Sequence, residues 1–257
     1  MGGAPHVYSN SDEATRKRQV DVQITGGDVA KEDKIDIDSE EYLKQLIKLS
    51  SKGKIEVSDK ARKLQFFIIK GGAEGFLNSW YKNRDASNRL TGGSTTSGGN
   101  GTSMRFSDTD LIVVFDAQGK LVSSALLRRP VWIKTPDRPH LWSEDTSTKV
   151  YAAWDGASVS IYRNNNPDWD IHYYGLWMDD AKGYYSSGQI RVDLHKQEAT
   201  NGCIFIVDDS TPPYVRKNKA AIATLNNFEP QFIKDVQKSI SAKTKNNIGT
   251  MRMVEIQ

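Results

Sequence analysis

A single cysteine, four histidines and the lack of any apolar run long enough to cross a bilayer set the first limits on this 257-residue chain. One thiol cannot close an internal disulfide or build an all-thiolate metal site. Cys203 is therefore either a small buried apolar residue or a thiol with chemistry to perform. An excess of one charge is also missing. Thirty-five Lys and Arg face 32 Asp and Glu, a net charge of +3, which speaks against nucleic acid as the partner. The first twenty residues have no apolar core to serve as a signal peptide, so synthesis in the cytoplasm is expected, with export by a dedicated secretion system compatible with it. No fixed period repeats, which argues against solenoids and propellers. No His/Cys/carboxylate cluster shows ligand spacing, so neither a metal nor another cofactor is expected.

What is present is punctuated apolar patterning with enough aromatic residues for a core. Residues 1–38 are polar and without apolar periodicity, and read as a flexible leader. Ser39 followed by Glu40 and Glu41, then Leu43, Leu46, Ile47 and Leu49, gives an N-cap, an acidic first turn and helical spacing, predicting a short helix that ends near Gly53. Ser58 opens a second expected helix on Ala61, Leu64, Phe67 and Ile68, so residues 39–90 read as a helical segment. Residues 91–103, TGGSTTSGGNGTS, read as a linker or loop. Strands then dominate. Asp110 to Phe115, a turn at Asp116 to Gly119, and Leu121 to Leu127 predict a hairpin, and Lys149 to Trp154 with Ala157 to Tyr162 predict another. Ile171 to Trp177, Gln189 to Leu194, Cys203 to Val207 and Met251 to Ile256 follow as strands, with a helix over Phe228 to Ala242. The expected fold is mainly β, an antiparallel sandwich or barrel-like domain over residues 104–257, with a helical N-terminal segment and a helix near the C-terminus.

The chemistry-bearing stretch is Gly188 to Asp209, GQIRVDLHKQEATNGCIFIVDD. One strand delivers His195 at its end, a polar connection follows, and Gly202-Cys203 opens the next strand, so neighbouring strands could bring imidazole and thiol together. A free thiol is only a few per cent thiolate at neutral pH, and a base within hydrogen-bond reach raises the reactive fraction. Imidazole, with a pKa of about 6.5, suits that task. Gly202, lacking a Cβ, lets a carbonyl approach the backbone, where the amides of Gly202 and Cys203 could hold an oxyanion. On composition alone, Cys203 beside Ile204, Phe205 and Ile206 fits an inert core residue better than a nucleophile.

Thr200-Asn201-Gly202-Cys203-Ile204 resembles the Ser/Thr-x-Gly-Cys-Ile/Val signature of the L,D-transpeptidase catalytic domain. Ile190 to His195 is similar to that family's strand ending in a histidine, the hairpin Leu111 to Leu127 to its opening strands, and Ile248-Gly249-Thr250 to Ile256 to its closing strand. The similarity spans residues 104–257. It implies a cysteine enzyme that cross-links or trims peptidoglycan stem peptides, with Cys203 as nucleophile, His195 as base, and Gly202 and Cys203 amides as oxyanion donors. His195 lies only eight positions before Cys203, about half the family's common separation, which resembles the compact L,D-transpeptidase-like toxins delivered between bacteria. That likeness implies an immunity or delivery protein as a partner. Phe205 stands where many members carry Arg.

Around this pair, Thr200, Asn201 and Arg191 are candidates for binding substrate, Thr200 by shaping the loop or hydrogen-bonding near the site and Arg191 by meeting a substrate carboxylate bidentately. Tyr174 and Trp177 are candidates for a substrate groove, within a run of aromatic residues that also suits ordinary strands. His172 is the alternative base, as in an unrelated cysteine protease. A non-enzymatic β-rich binding module with an aromatic groove, Cys203 being structural, is the competing reading.

Overall fold

The computed structural model describes residues 39–72, 95–97, 103–133, 151–166, 171–179, 189–192, 204–207, 229–240 and 244–256. In chain order these hold helix α1 (Glu40–Ser50), strands β1 (Leu64–Lys70), β2 (Thr95–Ser97), β3 (Ser103–Phe115), β4 (Leu121–Ile133), β5 (Ser158–Asn166), β6 (Ile171–Asp179), β7 (Gln189–Val192) and β8 (Ile204–Val207), helix α2 (Gln231–Ser239) and strand β9 (Gly249–Glu255). The mainly β class expected from the sequence is what the chain adopts.

Local chemistry accounts for the elements. The Ser39 side chain accepts from the Tyr42 amide at 3.1 Å, capping α1. Gly53, at φ 74°, closes the helix by donating to the Lys48 carbonyl at 2.7 Å. The β3–β4 hairpin turns on Asp116, whose Oδ1 accepts from the amides of Gln118 and Lys120, both at 2.8 Å, with Gly119 at φ 75°.

Hydrogen bonding runs β1-β9-β5-β6-β7-β8-β4-β3, and β3 returns to β1 while β2 extends β3 outward. The eight-strand set of pairings is thus cyclic and barrel-like, which leaves no free edge along those pairings. The β9–β5 seam has two register pairs, extended by hydrogen bonds from Ile248 N to Val159 O and from Ile161 N to Lys245 O.

Two layers of apolar side chains flank this wall, an inner one fed by strands around the ring and an outer one confined to β1, β3, β4 and β9. Leu64, Phe66 and Ile68 of β1, Ile112 and Val114 of β3, Ala125 and Leu127 of β4, and their counterparts on β5, β6 and β8 form one cluster with Tyr151, Trp154 and the Phe232-Ile233-Val236 face of α2. The alternate residues, Phe67 and Ile69, Leu111, Val113 and Phe115, Leu126 and Val254, pack against Tyr42, Leu43, Leu46 and Ile47 of α1. β1 and β3 are therefore covered on both faces. At about 2 kcal/mol for each large apolar side chain removed from water, this double burial makes them the anchor of the fold.

Three expectations are corrected here. The helix expected from Ser58 through Ile68 is instead loop followed by β1, because a strand buried on both faces loses its alternation and reads as a continuous apolar run. Since β1 pairs with β9 over seven residues and with β3 over five, residues 64–70 belong to the same sheet as the segment from 104 onward. The strand expected over Lys149 to Trp154 is, from residue 151, a helical turn. A spacing of three puts Tyr151 and Trp154 on one buried face, with ring centroids 5.9 Å apart. The expected antiparallel sheet is mixed, with β1–β9 and β7–β8 parallel. The helix expected over Phe228 to Ala242 is present as Gln231–Ser239.

Candidate functional site: the parallel pair and its flanks

β7 and β8, the strands on either side of the histidine-to-cysteine connection, are hydrogen-bonded neighbours. Their register is Ile190 opposite Ile204, Arg191 opposite Phe205 and Val192 opposite Ile206. Ile204 and Ile206 are fully buried in the inner cluster. β6 flanks β7 through Leu176–Ile190 and Trp177–Gln189, and β4 flanks β8 through Leu126–Val207, Leu127–Ile206 and Arg128–Phe205. The pair is thus held in the wall on both sides, as a site that must keep its geometry requires.

His195, Thr200, Asn201, Gly202 and Cys203 lie outside the described residues, as does the whole leader. What is described is the frame around them. Because the pair is parallel, Val192, which precedes His195 by three residues, sits at the Ile206 end of the ladder. Ile204, which follows Cys203, sits at the Ile190 end. Arg191 occupies the central register position, opposite Phe205. His172 lies near the start of β6, opposite Asn165 of β5.

Tyr174 and Trp177 do not share a surface. Tyr174 packs against the inner cluster with Leu176 and Met178, and the Lys245 ammonium lies 5.0 Å from its ring centroid, a cation–π contact. Trp177, three positions on and so on the opposite face of the strand, meets Tyr162 edge to face at 6.2 Å and 71°. One groove cannot be lined by both.

A polar cluster that sequence reasoning missed lies in the inner layer. Asp110 is fully buried at a β-bulge in β3, where the register with β4 shifts between Ser107 and Asp110. Its carboxyl accepts from the Gly71 amide at 2.8 Å and from the Tyr151 hydroxyl at 2.7 Å. The only hint in the sequence is an aspartate opening the apolar run DLIVVF. Among the described residues no group of three or more His, Cys, Asp or Glu is placed to hold a metal ion, and no helix is long and apolar enough to cross a membrane.

Comparison with protein-family models, with curated proteins and with solved structures finds no match to this chain.

Proposed function

We propose that this protein is a cysteine acyl-transferase or peptidase of L,D-transpeptidase type, acting on peptidoglycan stem peptides, with Cys203 as nucleophile and His195 as base. The Thr200-to-Ile204 signature motivates the reading, and the adjacency of β7 and β8 supports it to the extent that both flanks of the histidine-to-cysteine connection lie in one wall; because the pair is parallel, the reading also requires that connection to turn back toward the Ile190 end.

The step is ordinary thiol acyl transfer. The imidazole takes the thiol proton, and the thiolate sulfur bonds to the carbonyl carbon of an L,D-configured peptide bond. The amides of Gly202 and Cys203 stabilise the resulting oxyanion. Collapse breaks the C–N bond, the imidazolium returns the proton to the departing amine, and a thioester remains on Cys203. An amine acceptor then gives cross-linking or exchange, and water gives carboxypeptidase or endopeptidase products. Arg191, with Thr200 and Asn201, is assigned to binding the donor peptide. The reading extends to a protein made in the cytoplasm and exported by a dedicated machine, with an immunity or delivery protein as partner.

Incubation of the purified protein with muropeptides, followed by mass analysis, tests it. Products of changed mass that disappear in Cys203→Ala and fall sharply in His195→Ala are expected. Iodoacetamide labelling of Cys203 with a pH midpoint well below about 8.5 is expected alongside. An unreactive thiol and unchanged muropeptides refute the enzyme and favour a β-rich binding module.

A further inference from the structure

On the side of the ring opposite β7, four strands away in either direction, lies a trough unconnected with the thiol chemistry. It is bounded by the connection from α1 to β1 and by the first residues of β1 and β9, with a volume of about 570 Å³. That is within the roughly 300–1,000 Å³ of ordinary ligand pockets and far more than an inorganic anion needs. In the parallel β1–β9 ladder Gln65 stands beside Thr250 and Phe67 beside Arg252. Phe67 belongs to the layer that packs on α1, so the trough lies on that face of the wall.

Its charge is one-sided. Lys54, Arg62, Lys63 and Arg252 line it against a single carboxylate, Glu56. Those five residues sum to +3, as large as the net charge of the entire chain, so the excess is local rather than spread. Glu56 is already engaged by Lys48 at 3.0 Å, and Arg252 by Asp155 at 3.1 Å. Lys54, Arg62 and Lys63 are exposed and have no ion-pair partner among the described residues.

The rim that carries these cations is held in place. The Gln65 side chain accepts from the Ser58 amide at 2.8 Å and donates to the carbonyls of Ser58 at 2.8 Å and Asp116 at 2.9 Å. Ser51 Oγ accepts from the Ile55 amide at 3.0 Å, and the Ala61 amide donates to the Ala117 carbonyl at 3.0 Å. A fixed rim lowers the ordering cost that a flexible basic loop would add to binding. Leu64, Phe67 and the half-buried Ile55 add an apolar component to the lining.

We infer that this trough is a docking site for an acidic peptide segment in which carboxylate side chains alternate with apolar ones. Carboxylates meet Arg62, Lys63 and Lys54 at the rim, and apolar side chains reach the partly exposed Ile55. Nucleic acid is the weaker fit, because Phe67 is only 2% exposed and offers no ring face for base stacking.

The test is fluorescence anisotropy with the full chain and a labelled peptide of alternating Asp and Ile, at a physiological ionic strength of about 0.15 M. Saturable binding is expected, weakened about tenfold or more in Arg62→Glu/Lys63→Glu and left unchanged in Lys234→Glu/Lys238→Glu, which reverses two exposed cations on α2, a helix packed on the other layer of the wall. Replacing each Ile of the peptide by Ser is expected to weaken binding by a similar factor. Should the double reversal unfold the chain, Lys54→Gln at the same rim serves, with about a threefold loss expected. Equal losses in both double variants, equal affinity for the Ser-substituted peptide, or competition by citrate or a single-stranded oligonucleotide as strong as by the unlabelled peptide would each overturn the assignment.

Discussion

Truncating Asp110 to alanine tests the account of the inner layer. The carboxyl is fully buried and serves two donors, the Gly71 amide and the Tyr151 hydroxyl. Alanine takes this acceptor from both, and a buried donor that loses its acceptor costs about 1–3 kcal/mol. The expected loss is therefore about 4 kcal/mol, with a small void in addition. At about 2–4 °C per kcal/mol for a chain of this size, the thermal midpoint should fall by about 10 °C. Asp110→Asn keeps an acceptor for one donor and should lose about 1–2 kcal/mol, and Tyr151→Phe about 1–3 kcal/mol.

The double variant carries the sharper information. In Asp110→Ala the Tyr151 hydroxyl loses its carboxylate acceptor; adding Tyr151→Phe removes the group that lost it. The combined loss should fall short of the sum of the single losses by about 1–2 kcal/mol. Urea unfolding followed by tryptophan fluorescence provides the measurement, since Trp154 sits on the same helical turn as Tyr151. Strict additivity, or a loss of under about 1 kcal/mol for Asp110→Ala, would refute the claim that this cluster fastens that turn and Gly71 to β3.

Three further substitutions follow from the structure. A methyl group at Gly249 would meet the Leu64 carbonyl oxygen and approach within 2.6 Å of the Phe66 ring, so Gly249→Ala should destabilise by about 3 kcal/mol through the β1–β9 ladder. Gly53→Ala meets no atom within 4 Å but must hold φ 74°, and should cost only about 1–2 kcal/mol; chemical denaturation of the two side by side separates clash from backbone strain. Glu40 accepts from Lys44 at 2.7 Å and from the Leu121 amide at 2.9 Å, and these contacts, that with Lys44 first, hold its carboxyl below the ordinary value of 4.5. A depressed folded value means stability that is present above pH 4.5 and lost as pH falls through the folded value. Glu40→Gln should therefore be less stable than the parent at pH 7, with the gap closing below pH 4.5 in a pH series of thermal midpoints. A gap that widens on acidification would contradict the assignment.

The elements legible in the sequence are those whose signal is local. Ser39 with Glu40 and Glu41 marks the start of α1 because capping acts within one turn. Asp116 and Gly119 mark the β3–β4 hairpin because its turn chemistry spans five residues. β1 resembles a helix in sequence because Phe66, Phe67, Ile68 and Ile69 are all buried, two toward each layer, and nothing local distinguishes that pattern from a buried helix. Its true partner, β9, is 185 positions away, where Leu64 meets Gly249. Cyclic pairing is invisible for the same reason: it depends on β3 pairing with β1 as well as with β4. At the candidate site, the motif around Cys203 and the strands β7 and β8 could be read directly. The direction of their pairing could not, since four-residue strands carry no signal for parallel against antiparallel.

That direction places a sharp demand on the proposed chemistry. At about 3.3 Å per residue, a β7 that continued straight to position 195 would carry the imidazole about 16 Å along the strand from the level of Ile190. The residue preceding Ile204 belongs at the Ile190 end, because Ile204 pairs there. A thiol–imidazole hydrogen bond therefore requires residues 193–195 to turn back toward that end. The alternative is a base from another strand. β6 runs antiparallel to β7, with Leu176 opposite Ile190, so His172 precedes that pairing by four positions and lies toward the Val192 end. A straight β6 gives His172 no advantage over His195. The comparison of His195→Ala with His172→Ala in the muropeptide assay thus reports on geometry as well as role: loss in the first alone means that the connection reverses, whereas loss in neither, with Cys203 still required, means that the thiol finds its base outside both strands.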